Sequence, residues 1–528
     1  MCGFLVSTKS VSEKSFKSAL KTIEHRGPDH SQVLKVNGDG LFGFQRLSIM
    51  DLSAQGHQPF TSPQGSYLVC NGEIYNHLEI RTDFVAHYDF QSHSDCEVLL
   101  PLYEEYGLEF LCRNVEAEFA LVIYDSTKQQ WLAARDPIGI RPLFYGKDRV
   151  TGHLFFASEV KALLSFCDQI EVFPPGHYYQ EGQFHCYVDY KKRGEWITDE
   201  SIALKGIAER LERSVRQRLC ADAPVGFLLS GGLDSSLVCA LAARMQDQPI
   251  QTFAIGFERE PIDLKYAREV ADFIGSEHHE VIFSESDIER ILEPLVYQLE
   301  TYDITTIRAS VGMYLVCEYI KKNTDVKVLL TGEVSDEIFG YKYTDFAPSA
   351  EEFQKEAEKR VTELYMYDVL RADRCISSHS LEARVPFADH DFVEHVMRID
   401  PSLKMNTTGV GKALLRKAFA GQGLLPDSIL FREKAAFSDA VGHGMVDYLK
   451  ARAEKLYSDS EFKSRSFAYK GIRPISKESL MYRELFDRWF AQQVHLIKDY
   501  WMPNSEWAHC QVDDPSARVL PNYGQSGS

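Results

Sequence analysis

The 528-residue sequence has few of the features that mark membrane, secreted or nucleic-acid-binding proteins. It contains no apolar run long enough to cross a bilayer, and its first residues lack the basic region and long apolar core of a signal peptide. A formal net charge of −19 argues against a nucleic-acid surface, because phosphate contacts require clustered Lys and Arg. We therefore expect neither a membrane partner nor a nucleic-acid partner.

The cysteines form no recognisable metal or disulfide pattern. There are eleven, an odd number, and none belongs to a Cys-x-x-Cys pair. Reduced thiols in a cytosolic (cytoplasmic) protein are the simplest explanation. The sequence also has no internal repeat, and its length exceeds that of a single hydrophobic core, which predicts two or more domains.

A glycine-rich turn between a predicted strand and a predicted helix is the most informative segment. Residues 225–229 predict a buried strand, residues 237–244 predict a helix, and SGGLDSS lies between them at 230–236. Such a turn directs backbone N–H groups and a helix N-terminus at an anion, and its glycines allow close approach to a phosphate. It lacks the lysine of a Walker loop and resembles the pyrophosphate loop of enzymes that adenylate a carboxylate. The alternative is a plain strand-to-helix turn.

A second acidic turn follows another predicted strand. Residues 326–330 predict a strand that runs into TGEVSDE at 331–337, and residues 251–257 predict a third strand. Strands that alternate with helices predict an α/β doubly wound parallel sheet, with ligands beyond the carboxyl ends of its strands. Asp234 and Asp336 would then jointly hold Mg²⁺ on the phosphates of ATP. The other predicted ATP contacts are Leu229, Ser230, Gly231, Gly232, Ser235, Ile255, Thr331 and Gly332.

Two further charged residues suit the same chemistry. Glu333 would orient an acyl-adenylate or act as a base for incoming ammonia. Lys434 would neutralise charge on the phosphates.

Cys2 is a candidate nucleophile. Removal of Met1 would leave a thiol beside a free α-amine with a pKa of about 8, and that amine can act as the base for its own thiol. The alternative is an incidental buried cysteine near the terminus.

Residues 2–190 resemble the class II glutamine amidotransferases. The segments that carry the resemblance are HRGPD at 25–29, FGFQRLSIMD at 42–51, LVCNGEIYN at 68–76 and SDCE at 94–97. The resemblance implies an α+β N-terminal-nucleophile sandwich, with two antiparallel sheets between helices (αββα). It assigns Cys2 as the nucleophile on glutamine, with Asn71 and Gly72 as the oxyanion hole. For the rest of glutamine it implies Arg46 at the α-carboxylate, Glu73 and Asp95 at the α-ammonium group, and Leu47, Ser48, Ile49 and Met50 as pocket lining.

The chain as a whole resembles the glutamine-dependent asparagine synthetases. The segments SGGLDSS, LETYDITTIRASVGMYL, MYDVLRADR, LEARVPF, REKAAFSDAVG and DDPSAR carry this resemblance. It implies that ATP and aspartate form β-aspartyl-AMP and pyrophosphate, and that ammonia from glutamine reaches the adenylate through an internal tunnel. It also implies a homodimer. We expect a glutaminase domain at 2–190, a linker at 191–202, an ATP-pyrophosphatase-type synthetase domain at 203–511 and a mobile tail at 512–528.

Two alternatives remain open from the sequence, namely a related synthetase for another acid, such as a lactam-forming enzyme, and a catalytically lapsed regulatory homologue. The lactam-forming relatives typically lack the nucleophilic cysteine that is present here as Cys2. The lapsed alternative has one supporting feature, because Val334 replaces the second glycine of the family signature Ser/Thr-Gly-Glu-Gly-Ser-Asp-Glu and the following segment is one residue short. If that position requires positive φ, valine is strained there. The alternative is that the shortened segment lets the turn relax, so that Val334 is accommodated without strain.

Overall fold

The computed structural model describes residues 1–36, 40–192, 194–259, 262–407, 409–432 and 443–523. The strands of the N-terminal part are β1 (Gly3–Ser7), β2 (His30–Lys35), β3 (Leu41–Arg46), β4 (Phe60–Thr61), β5 (Tyr67–Ile74), β6 (Ala117–Asp125), β7 (Gln130–Arg135), β8 (Phe144–Asp148), β9 (Leu154–Ala157), β10 (Cys167–Val172), β11 (His177–Gln180) and β12 (Gln183–Cys186). Its helices are α1 (Glu13–Lys21), α2 (His77–Phe84) and α3 (Leu99–Asn114).

These strands form two six-stranded antiparallel sheets, in the orders β10-β8-β9-β1-β3-β2 and β12-β11-β7-β6-β5-β4. Alternate residues of each strand face opposite sides, so that Val69 of β5 packs between the sheets while Leu68 and Cys70 face the α3 side. Helix α1 covers the outer face of the first sheet through Phe16 and Leu20. The predicted αββα sandwich is confirmed.

The second part begins with α4 (Glu200–Arg218), which starts inside the predicted linker. The elements after it are β13 (Val225–Leu228), α5 (Leu233–Met245), β14 (Gln251–Phe257), α6 (Ile262–Ile274), β15 (Glu277–Phe283), α7 (Glu285–Leu299), α8 (Ile304–Asn323), β16 (Val328–Leu330), α9 (Ser335–Phe339), α10 (Ala350–Glu363), α11 (Asp368–Ser377), β17 (Glu382–Arg384), α12 (His390–Met397), α13 (Pro401–Lys404), α14 (Ala413–Phe419), α15 (Asp427–Leu430), α16 (His443–Leu456), α17 (Asp459–Ala468) and α18 (Lys477–Phe490).

The strands of this part form a parallel sheet in the order β15-β14-β13-β16-β17, which confirms the predicted doubly wound fold. The chain leaves β13 for β14 on one side, and β16 pairs with β13 on the other side. The strand order therefore reverses at β13 and β16, and ligands of such sheets bind where the order reverses. Both acidic turns lie there, one after each strand.

The two parts share one interface, and a single apolar cluster runs from Phe16 and Phe155 in the sandwich to Leu295 and Val316 in the second part. Within the described ranges, no helix is both long and apolar enough to span a membrane.

Candidate active sites

Cys2 lies directly before β1, and its thiol donates a hydrogen bond to the Leu47 carbonyl at 3.6 Å. Burial raises the pKa of this thiol to about 11. Met1 is also buried, and its amine donates to the Leu381 carbonyl at 3.1 Å with a pKa that burial lowers to about 5. While Met1 is attached, Cys2 therefore has neither a free α-amine nor an ionised thiol.

Asn71 of β5 has an uncommitted side-chain amide. Strands β1 and β5 contact each other across the two sheets, and Cys2 packs against the apolar cluster that contains Val69, two residues before Asn71. The Asn71 side chain is only 1% exposed, and neither its oxygen nor its nitrogen has a hydrogen-bond partner among the described residues. Since buried polar groups are normally paired, an open amide here fits a group that binds a developing oxyanion.

Gly72 is held against the neighbouring strand β6. A side chain at this position would place its Cβ 2.5 Å from the Glu118 carbonyl oxygen, so only glycine fits.

Arg46 is buried and fastens the loop that follows β3. Its guanidinium donates to the carbonyls of Ser53 at 2.6 Å, Met50 at 3.3 Å and Asp51. The Ser48 amide donates to Asp29 at 2.9 Å. The remaining two predicted pocket residues, Leu47 and Ile49, pack in a core that extends into the second part.

The two predicted ammonium ligands, Glu73 and Asp95, are both buried, and burial raises the pKa of each. Glu73 pairs with Arg384 of β17 at 2.9 Å, and Asp95 accepts a hydrogen bond from the Ile74 amide at 2.7 Å. Sequence reasoning missed Arg384, which comes from the other domain.

The SGGLDSS turn has the geometry of an anion-binding loop. Gly231 has φ 72°, and a Cβ there would lie 2.5 Å from the Ala267 amide nitrogen. The hydroxyls of Ser230 and Ser235 lie 3.0 Å apart, and the Ser230 amide donates to Ser235 at 3.2 Å. Helix α5 starts within this turn and directs its N-terminus at the same space.

The second turn packs directly on the first. A Cβ on Gly332 would lie 2.7 Å from the Ser235 amide nitrogen. Val334, in the same turn, has φ 79° and is 1% exposed. The structure therefore supports the strained interpretation of Val334 rather than the relaxed one.

Lys412 joins the two predicted metal ligands. Its ammonium nitrogen lies 2.7 Å from a carboxylate oxygen of Asp234 and 2.5 Å from one of Asp336. The Ser335 hydroxyl donates to Asp234 at 2.7 Å. The lysine precedes α14 and has φ 58°, and its sequence context, GVGK at 409–412, gave no signal that it would reach this site.

The carboxylates of Asp234 and Asp336 both contact Lys412, and Mg²⁺ is commonly bound by one or two protein carboxylates together with substrate phosphates. Within the described part of the chain, no group of three or more His, Cys, Asp and Glu is arranged to hold a metal by itself.

Glu333 faces the same cavity and pairs with Arg371 of α11, which also binds Asp368 at 2.8 Å. Burial raises the pKa of Glu333. A partly buried carboxylate with a raised pKa is suited to accept a proton from an amine.

The two turns line one cavity of about 220 Å³. The predicted ATP and metal residues that line it are Leu229, Ser230, Gly232, Asp234, Ser235, Ile255, Thr331, Gly332 and Asp336. Gly231 does not line it but accepts a hydrogen bond at 3.3 Å from Arg432, which does. The predicted Lys434 lies outside the described residues.

Asp263 and Arg432 also line this cavity and were not predicted. The Arg432 guanidinium lies 3.5 Å from the centroid of the Tyr266 ring and 3.6 Å from the Asp263 carboxylate. Burial raises the pKa of Asp263 to about 7.

Comparison with known proteins matches two families to this chain. Residues 1–181 match a family described as glutamine amidotransferase domain, and residues 206–353 and 342–513 match one described as asparagine synthase. The chain is 42% identical over 562 residues to a probable glutamine-hydrolysing asparagine synthetase of Schizosaccharomyces pombe, with 99% of each chain covered. A similarly named protein of Acanthamoeba polyphaga mimivirus is 39% identical, with 99% of this chain and 100% of the other covered. Asparagine synthetase B of Escherichia coli is 40% identical, with 95% of this chain and 94% of the other covered.

Proposed function

The chain belongs to the glutamine-hydrolysing asparagine synthetases, and we propose that its two sites divide the reaction between the residues described above. The overall reaction is the ATP-dependent amidation of aspartate to asparagine with glutamine as nitrogen donor. The intermediates and the role of each residue are our proposal.

In the first site, Cys2 attacks the glutamine carboxamide after Met1 has been removed. The freed α-amine takes the thiol proton, and the Asn71 amide and the Gly72 N–H bind the oxyanion. The unpartnered Asn71 side chain supports this assignment. Arg46, Glu73 and Asp95 are proposed to hold the two charged ends of glutamine, with the backbone of Leu47 to Met50 along one side.

In the second site, the aspartate side-chain carboxylate attacks the α-phosphorus of ATP and pyrophosphate leaves, which forms β-aspartyl-AMP. The turn at 230–236 holds the phosphates, and Asp234 and Asp336 would hold Mg²⁺, which neutralises phosphate charge when bound. Lys412 lies between these carboxylates and supplies a second positive charge beside the phosphates.

Ammonia then attacks the acyl carbon, and Glu333 accepts the proton that the nitrogen loses. Its raised pKa supports this role, and its contact with Arg371 keeps it oriented at the cavity. Lys434 remains a proposed phosphate ligand.

The observation that carries the proposal is the convergence of Asp234, Asp336 and Glu333, from two turns, on one cavity. Pyrophosphate release should depend on aspartate and should match asparagine formation when glutamine and ATP are supplied. Release with another acid and not with aspartate would favour the related synthetase, and no release with any acid would favour the lapsed homologue.

We also propose that the protein works in the cytosol as a homodimer. The eleven cysteines are all unpaired thiols, which supports a reducing compartment, and the dimer rests on the family resemblance alone. Light scattering on the purified protein tests the dimer, and fractionation of the cells that produce it tests the location.

A further inference from the structure

The C-terminal segment 512–523 lies against the synthetase cavity, although its polar sequence predicts a mobile tail. Three of its residues, Pro515, Ala517 and Leu520, line that cavity. A short 3₁₀ turn, Ala517–Val519, shapes the segment here, and the Ser516 hydroxyl caps the turn. The segment is therefore part of the cavity wall.

Asp514 anchors one end of the segment. Its two carboxylate oxygens accept hydrogen bonds from Arg308 at 3.0 and 2.9 Å, and Lys450 lies 2.9 Å away. Arg308 belongs to α8, a helix that also lines the cavity, and its side chain is 3% exposed and bound to Glu478 as well. Although burial alone would raise the pKa of Asp514, the hydrogen bonds from Arg308 hold it well below its usual value. The anchor is therefore a charged, nearly buried ion pair.

Asn522 anchors the other end. Its side-chain nitrogen donates to the Lys342 carbonyl and to Asp345, both at 3.0 Å. Between the anchors, Leu520 is 4% exposed and packs in a cluster with Tyr343 and Trp501. The segment is thus fixed at both ends, with its cavity-lining residues in between.

The segment borders the part of the cavity that contains Glu333. Trp501 of the same cluster packs on Tyr341, with ring centroids 5.2 Å apart. The Tyr341 hydroxyl donates to Glu337 at 2.5 Å and lies 3.3 Å from Asp368. Asp368 in turn binds Arg371, the partner of Glu333. This connected series of contacts places the segment on the side where we expect the acyl group.

We propose that residues 512–523 keep water away from the activated acyl group, an inference that rests on the proposed adenylation. When ammonia attacks the acyl carbon, a C–N bond forms, the C–O bond to AMP breaks and the nitrogen loses a proton. Attack by water breaks the same bond but regenerates the acid, so that ATP is consumed without amide formation. Exclusion of water by an apolar wall favours the first outcome.

The test compares three full-length proteins and one truncated chain. Ammonium chloride is the nitrogen source, so that synthesis does not depend on the glutaminase site. They are the unaltered protein, a chain that ends after Gln511, Leu520→Ser and the control Val519→Ser. Val519 is next to Leu520 in the sequence, but its side chain is 42% exposed and does not line the cavity. We expect the truncated chain and Leu520→Ser to release at least about threefold more AMP per asparagine than the unaltered protein and the control. The same ratio in all four proteins would overturn the proposal.

Two measurements separate this result from a folding defect and from failure of the proposed function. Glutamine hydrolysis should be the same in all four proteins, which excludes a general folding defect. If the unaltered protein forms no AMP in the presence of aspartate, the proposed function itself is rejected. If both variants lose all synthesis, hydrogen–deuterium exchange of the unaltered protein decides. ATP with aspartate should slow exchange within 512–523, and equal exchange with and without them would overturn the proposal.

Discussion

At the scale of single residues, Cys2 gives the first prediction. Cys2→Ala should abolish glutamine hydrolysis and glutamine-dependent synthesis while leaving ammonia-dependent synthesis intact, because we propose that the thiol serves only the first site. Glutamate and asparagine assays with each nitrogen source measure this separation. Cys186→Ala, at an exposed thiol, is the matched control. Full glutamine-dependent synthesis in the Cys2 variant would show that the nucleophile is another group.

Val334 gives the second prediction. A β-branched residue at φ 79° costs roughly 1–3 kcal/mol, and it does so beside Glu333 and Asp336. Val334→Gly, combined with one residue inserted before Gly340, should raise the rate of amide formation and leave glutamine hydrolysis unchanged. Steady-state rates of the unaltered protein, the insertion alone and the double change provide the comparison. An equal or lower synthetase rate in the double variant would mean that the departure from the family pattern is neutral.

Single residues were predictable where the local pattern carries the chemistry. Asp234 and Asp336 each follow a strand, and the parallel sheet brings them together at Lys412 as expected for one site. Lys412 itself was not predictable, since it lies 178 residues from Asp234 and no local motif marks it. The same reason applies to Arg384, whose partner Glu73 belongs to the other domain.

At the scale of elements, the two turns after β13 and β16 form one functional unit. Asp234→Asn and Asp336→Asn should each slow ATP–pyrophosphate chemistry, because each raises its activation free energy by about 2–4 kcal/mol. Both changes should spare glutamine hydrolysis. The physical reason is that either change would weaken the proposed Mg²⁺ binding and leave phosphate charge less compensated. Pyrophosphate release measured over a range of magnesium concentrations checks this, and rates equal to those of the unaltered protein would remove both residues from the metal site.

Helix α14 allows a similar test of Lys412 with a control on the same element. Lys412→Met removes the positive charge beside both carboxylates and should lower synthesis by about 10²–10³-fold. Lys417→Met removes an exposed lysine that pairs with Glu200 at the surface, and we expect it to leave synthesis unchanged. Equal synthesis in the two variants would contradict a role for Lys412 at the phosphates.

Element boundaries were less predictable than element types. The sequence predicts a helix from residue 237, whereas α5 begins at Leu233, because the polar residues of the phosphate turn form its first turn. The short strand β16 covers three residues, and its position is fixed by pairing with β13 and β17 rather than by its own length. The extent of β16 therefore depends on tertiary contacts, which no local pattern records.

At the scale of the whole molecule, a buried ion cluster joins the two domains. Glu159 of the sandwich lies 2.7 Å from Arg26, 2.5 Å from Lys161 and 2.7 Å from Arg374 of α11. His25 lies 3.3 Å from Glu159, and the other acids of the cluster are Asp373, bound to Arg26, and Glu300, bound to Arg374. Three acids thus balance three bases at the interface, and the loss of one acid leaves an excess positive charge in a buried site.

Glu159→Gln should therefore destabilise the folded protein by about 3–5 kcal/mol near neutral pH, which is typical when one partner of a buried ion pair is removed. Although burial alone would raise the pKa of Glu159, the charges of Arg374 and Lys161 hold it well below its usual value. A depressed carboxylate pKa stabilises the folded state above the pKa of unfolded Glu, about 4.3, and this contribution is lost as the pH falls further. Calorimetry should show a lower melting temperature for the variant than for the unaltered protein at pH 7, by about 2–4 °C per kcal/mol, and a smaller difference between the two below about pH 4.

Glu13→Gln, which removes an exposed ion pair with Lys17 in the same domain, is the control and should change the melting temperature little. Equal melting temperatures for the two variants at pH 7 would mean that the cluster does not hold the domains together.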